Sequence, residues 1–337
     1  MRVEATIEEW KALYEAATRI HELKPWDVLW DMDIIGVQTG EDPESMAFYS
    51  ILGKGGDCYG VAVYEGYDGL NTLMMLTMQE RMNLPLDYVM FNRQNLTCYW
   101  GDREELSTKQ RQVIKELGYK YRGKNNWLYF MSYEPGYYPY NPDRDQVIRM
   151  TGHLKNLDIA FTQYKDTAAK VKFDDGNMFA CLLSKDSKSW KCSEEPLPFL
   201  NFHIGSLLIT DEEVLADLAR MPQANIILEA DARPLGVSVA DKKYDRPANP
   251  SLCILAEAQS GIIISGEMTE PADDPMVELA ETVIGFIFQH GAPKEIRVTN
   301  VIVEAALKQI SEICKIKLRR VKRLTGVEEF LMSFKGF

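Results

Sequence analysis

The chain has 337 residues, of which 46% are hydrophobic and 26% charged, and its formal net charge is −12. This composition excludes wholesale disorder and allows two domains with separate cores, while the negative charge opposes general binding to nucleic acids or anionic membranes. No apolar run approaches the roughly 18 residues of a membrane span. The six cysteines form no CxxC pair, and several lie in apolar runs. We therefore expect a cytoplasmic protein without disulfides.

The first half of the sequence mixes helical and strand patterns. Thr6 and Glu9 form a capping box at the start of a helix predicted over 6–24, which Pro25 ends. Strand and helix patterns then follow along the chain, over 26–37, 48–53, 58–64, 69–81, 94–100, 103–117, 127–133 and 143–165. The alternation predicts an N-terminal α+β domain over 1–168.

Residues 169–222 are predicted to form a hairpin and a connecting segment. Strand patterns at 170–173 and 178–183 flank the turn residues 174–177. The polar residues 184–195 and the two prolines that follow are typical of a junction between domains. A helix then extends to about Arg220.

The patterns over 223–337 predict a mixed α/β domain. After a short strand at 226–229, the order is strand, strand, strand, helix, strand, helix and strand, followed by a last helix at about 326–335. The three strands are predicted at 233–240, 250–257 and 262–268. The helix at 276–290, the strand at 295–299, the helix at 301–313 and the strand at 317–321 follow.

The motifs that could carry chemistry are weak. The glycines of Gly53-Lys54-Gly55-Gly56 lie between two strands with no Ser or Thr following, so a hairpin turn is favoured over a phosphate loop. The histidines are far apart, at His21, His153, His203 and His290, and no cluster has metal-ligand spacing. We predict no cofactor and no metal site.

Seven aromatic residues lie within residues 127–140, around a Pro-Gly-Tyr-Tyr-Pro-Tyr loop. Exposed, these rings could stack on bases or sugars, and buried they would form the main core of the first domain and a rigid corner. The core or corner is the favoured interpretation.

Six of the nine residues from 315 to 323 are basic and none is acidic: Lys315, Lys317, Arg319, Arg320, Lys322 and Arg323. Alternation along a strand would place Lys315, Lys317 and Arg319 on one face. These cations could contact phosphates. The favoured alternative is an edge strand whose cations discourage strand pairing and meet acids of the same protein.

The element order in 233–323, with the last helix, resembles the ribonuclease H-like fold shared by integrases and transposases. Residues 250–268, with their Ser-Gly turn, and His290-Gly-Ala-Pro before the strand 295–299 are similar to integrase segments. The resemblance implies carboxylates on the first and fourth strands that hold two divalent ions. The predicted first strand has none at 236–240, and Asn300 stands where the family has Asp. A ribonuclease H-like fold without its nuclease is therefore expected.

The whole chain also resembles a family of uncharacterised bacterial two-domain proteins, on Trp26-Asp-Val-Leu-Trp-Asp-Met-Asp, residues 59–66 and 123–127, and Arg246-Pro-Ala-Asn-Pro. We predict a non-catalytic binding or scaffold protein with an unknown partner. The alternative is a metal-dependent nuclease or related phosphoryl-transfer enzyme that uses the atypical carboxylates Asp241, Glu257 and Glu328.

Overall fold

The computed structural model describes residues 2–42, 44–167, 170–184 and 189–334. The chain divides into two compact units. The N-terminal unit comprises Met1–Met75, Arg93–Glu134 and Pro139–Asn201, and the C-terminal unit comprises Leu76–Asn92, Pro135–Tyr138 and Phe202–Phe337. The predicted boundary at 168–169 lies outside the described residues, and the limits 1–168, 169–222 and 223–337 stay a proposal.

The described residues form mixed α/β units with the following elements. The strands are β1 (Ile35–Gln38), β2 (Met46–Leu52), β3 (Tyr59–Glu65), β4 (Asn95–Gly101), β5 (Trp127–Tyr133), β6 (Asn177–Leu183), β7 (Trp190–Pro196), β8 (Gln223–Pro234), β9 (Ser251–Glu257), β10 (Ile263–Met268), β11 (Ala292–Val298) and β12 (Lys317–Arg320). The helices are α1 (Ile7–Leu23), α2 (Gly66–Thr77), α3 (Gln79–Met82), α4 (Leu86–Phe91), α5 (Thr108–Glu116), α6 (Arg144–Asp166), α7 (Glu212–Arg220), α8 (Pro275–His290), α9 (Val301–Ile313) and α10 (Thr325–Phe334). None of these helices is long and apolar enough to cross a membrane.

The N-terminal unit is built on a seven-stranded sheet in the order β5-β4-β3-β2-β1-β6-β7. Its neighbouring strands are antiparallel except β1 and β6, which are parallel. Helices α1 and α6 pack on each other, and their apolar sides join the sheet in one core. The predicted capping box of α1 is confirmed, since Thr6 and Glu9 exchange hydrogen bonds. The long helix predicted from Asp143 is also confirmed as α6, with Asp143 as its N-cap.

Two local predictions in this unit are resolved by the strand bounds. Residues 53–56 form the turn between β2 and β3, where Gly53 and Gly56 have φ values of 115° and 94° that favour glycine. The aromatic strand β5 alternates between buried and half-buried residues. Its buried Phe130 packs against Trp10 and Tyr14, so one face of the strand belongs to the core, as expected.

Four local predictions in this unit are wrong. Cys181 and Cys192 form a disulfide, because strand pairing places them directly opposite each other on β6 and β7. The supposed junction therefore contains a strand, β7. Of the strand predicted over 26–37, only the end is a strand, as part of β1 (Ile35–Gln38). The segment 170–173 makes no hairpin, since β6 pairs with β1 and β7 instead.

The C-terminal unit is built on a five-stranded sheet in the order β10-β9-β8-β11-β12. Strands β8, β11 and β12 are parallel, while β9 and β10 run antiparallel to their neighbours. Helices α8 and α9 contact the sheet, as do α10 and the short α4. This is the mixed-sheet α/β architecture expected from the sequence.

The first strand of this sheet is not the one predicted. Strand β8 covers Gln223–Pro234, whereas residues 235–240 lie outside the strands and make one isolated bridge at Val239. The strand begins where Gln223 pairs with Ala292 of β11, a long-range contact that no local pattern reveals. The expectation of a first strand without carboxylates is therefore wrong, since Glu229 and Asp231 both lie on β8.

Candidate functional site

The carboxylate of Glu229 is buried in the centre of the C-terminal sheet, with the residue 2% exposed. Its two oxygens accept hydrogen bonds from the backbone amides of Thr325, Gly326 and Val327, at 3.1, 2.8 and 3.3 Å. These amides belong to the first turn of α10, whose N–H groups have no partners within the helix. Glu229 therefore serves as the cap of α10, and the positive end of the helix dipole stabilises its charge.

Asp231 lies two residues further along the same face of β8 and is fully buried. Burial raises the pKa of Asp231, and the nearby Arg233 guanidinium opposes that rise. The nitrogen Nε of Arg233 lies 2.5 Å from Asp231 Oδ2, and Oδ1 accepts a hydrogen bond from the backbone amide of Ala232 at 3.0 Å. Both oxygens of this carboxylate are thus engaged by the strand that carries it.

Asn300 follows the fourth strand of the sheet, β11, at the predicted position. It is buried and caps α9, because its Oδ1 accepts hydrogen bonds from the amides of Ile302 and Val303 at 3.0 and 3.1 Å. A neutral amide adds no charge that would offset the dehydration of a divalent cation. Its role in the structure is that of a helix cap.

The carboxylates proposed for the alternative enzyme each have local partners. Asp241 accepts a hydrogen bond from the amide of Lys243, and Glu328 lies 2.6 Å from Nε of Arg323. Glu257 accepts from the amides of Gln259 and Ser260, and the hydrogen bonds from Ser260 lower its pKa. Within the described ranges, no group of three or more His, Cys, Asp or Glu residues could hold a metal ion. The structure does not gather these three residues into one site.

The cations of the basic run lie on and beside β12, which is an edge strand of the described sheet. Lys317 and Arg319 share one side of it, and both face Glu295 of β11, at 3.1 and 4.0 Å. Arg297 Nε reaches the same carboxylate at 2.9 Å. The pKa of Glu295 is lowered, first by the hydrogen bond from Arg297 and then by the hydrogen bond from Lys317 and the positive charges of both. Two of the predicted phosphate ligands are thus engaged by an acid of the same sheet.

The remaining cations of the run divide into two groups. Arg320 lies 3.7 Å from Glu304 on α9, and Arg323 pairs with Glu328 on α10. Lys315 and Lys322 are exposed, and neither has a carboxylate within ion-pair distance among the described residues. Lys315 has a left-handed backbone conformation just before the strand. Lys322 instead lies beside a cleft.

We name this cleft the basic cleft. It measures about 500 Å³ and opens at the carboxyl ends of the parallel strands β11 and β12. Its lining is Arg81, Met82, Asn83, Thr299, Val301, Arg320, Val321 and Lys322. Ligands of open α/β sheets commonly bind outside the carboxyl ends of the strands.

Three cations and one helix end give the basic cleft a positive character. Arg81 and Lys322 have no carboxylate within ion-pair distance in the described part of the chain, and Arg320 shares its charge with Glu304. The cleft also meets the first residue of α9, Val301, where the helix dipole is positive. The hydroxyl of Thr299 is buried and has no hydrogen-bond partner among the described residues. Such a cleft suits a small anion that accepts hydrogen bonds, such as a phosphate group.

Sequence reasoning identified Arg320 and Lys322 of this cleft but missed Arg81, which lies in the helix α3. Nothing in the sequence near Arg81 distinguishes it from any other surface arginine. The short strand predicted at 226–229 is part of β8 and already contained Glu229, but no local pattern extends it to Asp231.

Comparisons with solved structures return viral integrase cores. The catalytic core of HTLV-2 integrase in complex with magnesium is 20% identical, with a TM-score of 0.24, over 35% of this chain and 71% of that one. The simian T-cell lymphotropic virus intasome in complex with a regulatory subunit of PP2A is 17% identical, with a TM-score of 0.24, over 35% and 43%. Similarity at this level carries no inference about function.

The family comparisons describe both parts of the chain. No curated protein matches the sequence. Residues 214–335 match DUF6930, a domain of unknown function, and this range contains the whole C-terminal sheet with α8, α9 and α10. Residues 10–181, more than half of the chain, match DUF7309, also a domain of unknown function. The chain therefore belongs to the DUF7309 family, with a DUF6930 match in its second half.

Proposed function

We propose that this chain is a non-catalytic binding protein whose C-terminal unit holds a small phosphate-bearing anion in the basic cleft. The observation that carries the proposal is the engagement of Glu229 by three backbone amides of α10. A ribonuclease H-like nuclease needs that part of the sheet for metal-binding carboxylates. Here the acid stabilises a helix, and releasing it would leave buried amides without partners.

The absence of catalysis is tested by metal binding. We expect purified protein to bind Mg²⁺ or Mn²⁺ only weakly, because Asn300 is neutral and Glu229 and Asp231 are engaged by the protein itself. Isothermal titration calorimetry with each chloride salt measures this directly. Micromolar binding that is lost in Glu257→Ala or Glu328→Ala would instead favour the metal-dependent nuclease.

Anion binding is tested with inorganic pyrophosphate as the probe. The basic cleft is of a size that fits one small ligand, and the net charge of −12 opposes long polyanions. The double variant Arg81→Ala with Lys322→Ala removes the two cations of the cleft that have no acidic partner. We expect it to weaken pyrophosphate binding at least tenfold, since charge-assisted hydrogen bonds contribute about 1.5–3 kcal/mol each.

A matched control removes the same amount of charge from strand β12, outside the lining of the basic cleft. Lys317→Ala with Arg319→Ala deletes two cations that already face Glu295. We expect this control to change pyrophosphate affinity less than threefold. Equal losses in both double variants would show that only overall charge matters and would contradict the assignment of the cleft.

We also propose the cytoplasm of a bacterium as the setting of this protein. Its support is the four free cysteines, of which Cys98, Cys253 and Cys314 are buried. The disulfide between Cys181 and Cys192 opposes it. Thiol titration of protein unfolded directly from cells under acid quench would find six thiols in a reducing compartment, and four if the disulfide persists.

A further inference from the structure

A second cleft of the C-terminal unit runs between α9 and β12. It measures about 460 Å³, and its apolar lining consists of Val301 and Ala305 of α9, Ile316 just before β12, and Leu318 within the strand. The residues that α9 contributes extend from Val301 to Glu312 at helical spacing. The cleft therefore follows one side of the helix along most of its length, and we name it the α9 groove.

The α9 groove has the length of a short extended chain. From Val301 to Ser311, which both line it, the helix rises by about 15 Å, since each residue adds about 1.5 Å. An extended alkyl chain advances about 1.3 Å per bond, because its carbon–carbon bonds are about 1.5 Å long and inclined to the chain axis. A chain of about ten carbons with its terminal oxygens therefore spans the groove.

One end of the α9 groove joins the basic cleft. Val301 lines both of them, and at the same end Arg320 of the basic cleft lies 3.7 Å from Glu304 of the groove. The basic cleft also contains Arg81 and Lys322, which have no carboxylate within ion-pair distance in the described part of the chain. A molecule that occupies the groove therefore presents one end to this positive charge.

The other end of the groove contains a buried hydroxyl group. Ser311 is 4% exposed, and its Oγ has no hydrogen-bond partner among the described residues. A buried polar group without a partner destabilises a protein unless water or a ligand engages it. The hydroxyl of Thr299, in the basic cleft, is the second such group. Taken together, the groove and the basic cleft are polar at both ends and apolar between them.

We propose that the α9 groove and the basic cleft together bind a linear phosphate monoester, whose chain of about ten atoms ends in a hydroxyl or another hydrogen-bonding group. This inference rests on the anion binding proposed above and names the class of anion. The phosphate meets the cations of the basic cleft through charge-assisted hydrogen bonds. The chain packs against Ala305 and Leu318, and its far end reaches Ser311.

The contribution of the chain is tested by calorimetry on the full protein, with decyl phosphate and ethyl phosphate as probes below the micelle concentration. We expect decyl phosphate to bind at least thirtyfold tighter, because each buried methylene improves affinity about fourfold and an open groove buries only part of the chain. Decyltrimethylammonium bromide has the same chain and a positive head, and we expect no saturable binding of it. Equal affinity of decyl phosphate and either other probe would overturn the proposal.

A variant that fills the groove assigns the binding to it. Ala305→Phe should weaken decyl phosphate binding at least tenfold and change pyrophosphate affinity less than twofold, since Ala305 lies outside the lining of the basic cleft. Ala216→Phe adds the same ring at an exposed position of α7 and should change neither affinity. Circular dichroism establishes that the variants are folded, and Ala305→Leu decides if Ala305→Phe is not. Unchanged decyl phosphate affinity in the deciding variant would overturn the proposal.

The polar far end is tested with 10-hydroxydecyl phosphate. We compare its affinity with that of decyl phosphate in the parent protein and in Ser311→Ala. A hydrogen bond to Ser311 makes the ratio of the two affinities depend on that hydroxyl, so we expect the preference for the hydroxylated probe to fall at least threefold in the variant. An unchanged ratio would overturn the assignment of Ser311 to the far end.

Pyrophosphate separates a failure of this inference from a failure of the proposed function. If pyrophosphate binds while the decyl chain adds nothing over ethyl phosphate, the inference is wrong and the proposed function stands. If neither pyrophosphate nor ethyl phosphate binds, both are wrong. Sedimentation tests the other occupant of the groove, a second copy of the chain. A dimer of the parent protein that Ala305→Phe abolishes would overturn the inference.

Discussion

Glu229 in the middle of β8 and Glu65 at the end of β3 are both acids that accept hydrogen bonds, yet their surroundings differ. Glu229 is 2% exposed, and three amides of α10 engage its two oxygens. The side chain of Glu65 is 35% exposed, and its partners are the side chains of His153 and Arg149. An acid saturated by buried amides of its own chain stabilises the fold strongly, whereas a partly exposed acid keeps some contact with water and stabilises it less.

The same distinction applies within the C-terminal unit, between its paired acids and the basic cleft. Asp231 and Glu295 follow the pattern of Glu229, because Arg233 engages the first, and Arg297, Lys317 and Arg319 surround the second. The basic cleft departs from it, since two of its three cations have no acidic partner among the described residues. Unmatched positive charge thus marks the place where we propose an anion.

The largest effect is expected from Glu229→Ala. The variant leaves three amides of α10 without an acceptor in a buried setting, so we expect it to lower the free energy of unfolding of the C-terminal unit by about 3 kcal/mol. Urea denaturation followed by circular dichroism measures the change. Glu329→Ala, an exposed acid of the same helix, is the control and should change stability by less than about 0.5 kcal/mol. If Glu229→Ala lowered the free energy of unfolding no more than Glu329→Ala does, Glu229 would not be the stabilising cap of α10.

Asp231→Asn should alter how stability depends on pH. Burial raises the pKa of Asp231 above its value in the unfolded chain, so its contribution to stability is fully present below the unfolded pKa of about 3.9 and is lost as pH rises through the folded value. The variant has no such carboxyl group. Its free energy of unfolding should therefore fall less than that of the parent protein over this rise in pH, as guanidinium denaturation at a series of pH values would measure. Parallel curves for the two proteins would contradict the assignment.

Glu65→Gln should have a smaller effect on stability. The contribution of Glu65 is lost as pH falls, whereas that of Asp231 is lost as pH rises. Burial alone would raise the folded pKa of Glu65, but the His153 hydrogen bond and the Arg149 charge together lower it. Its contribution is therefore present above the unfolded pKa of about 4.3 and is lost as pH falls through the folded value. We expect the variant to be less stable by about 1 kcal/mol at pH 7 and to lose less stability on acidification. Chemical denaturation at neutral and acid pH provides the measurement. A loss as large as that of Glu229→Ala would remove the distinction between the two acids.

The smallest effect is expected from Lys317→Ala with Arg319→Ala on β12. Phosphate contacts would each contribute about 0.9 to the slope of log affinity against log salt on duplex DNA, so losing two would lower that slope by up to about 2. We expect no change in slope, because both cations already face Glu295. Analytical ultracentrifugation should instead detect self-association as the edge strand loses its cations. A salt-sensitive DNA complex abolished by this variant would contradict that expectation.

The local parts of the fold could be predicted because local chemistry specifies them. The capping box at Thr6 and Glu9, the start of α6 at Asp143 and the turn at 53–56 each depend on residues within one or two turns of chain. The order of strands and helices from residue 250 onward follows from hydrophobic periodicity. The concentration of cations near β12 is visible in the sequence, as is the neutral Asn300 after β11.

Tertiary structure alone decided which of these features belong together. The bounds of β8 depend on pairing with β11, and that register places Glu229 and Asp231 in the central strand. Glu65 and His153 are 88 residues apart, and Arg81 meets Lys322 in one cleft across an even longer stretch of chain. The disulfide likewise results from the antiparallel register of β6 and β7. Periodicity determines which face of an element is buried, but only long-range pairing determines which side chain lies opposite it.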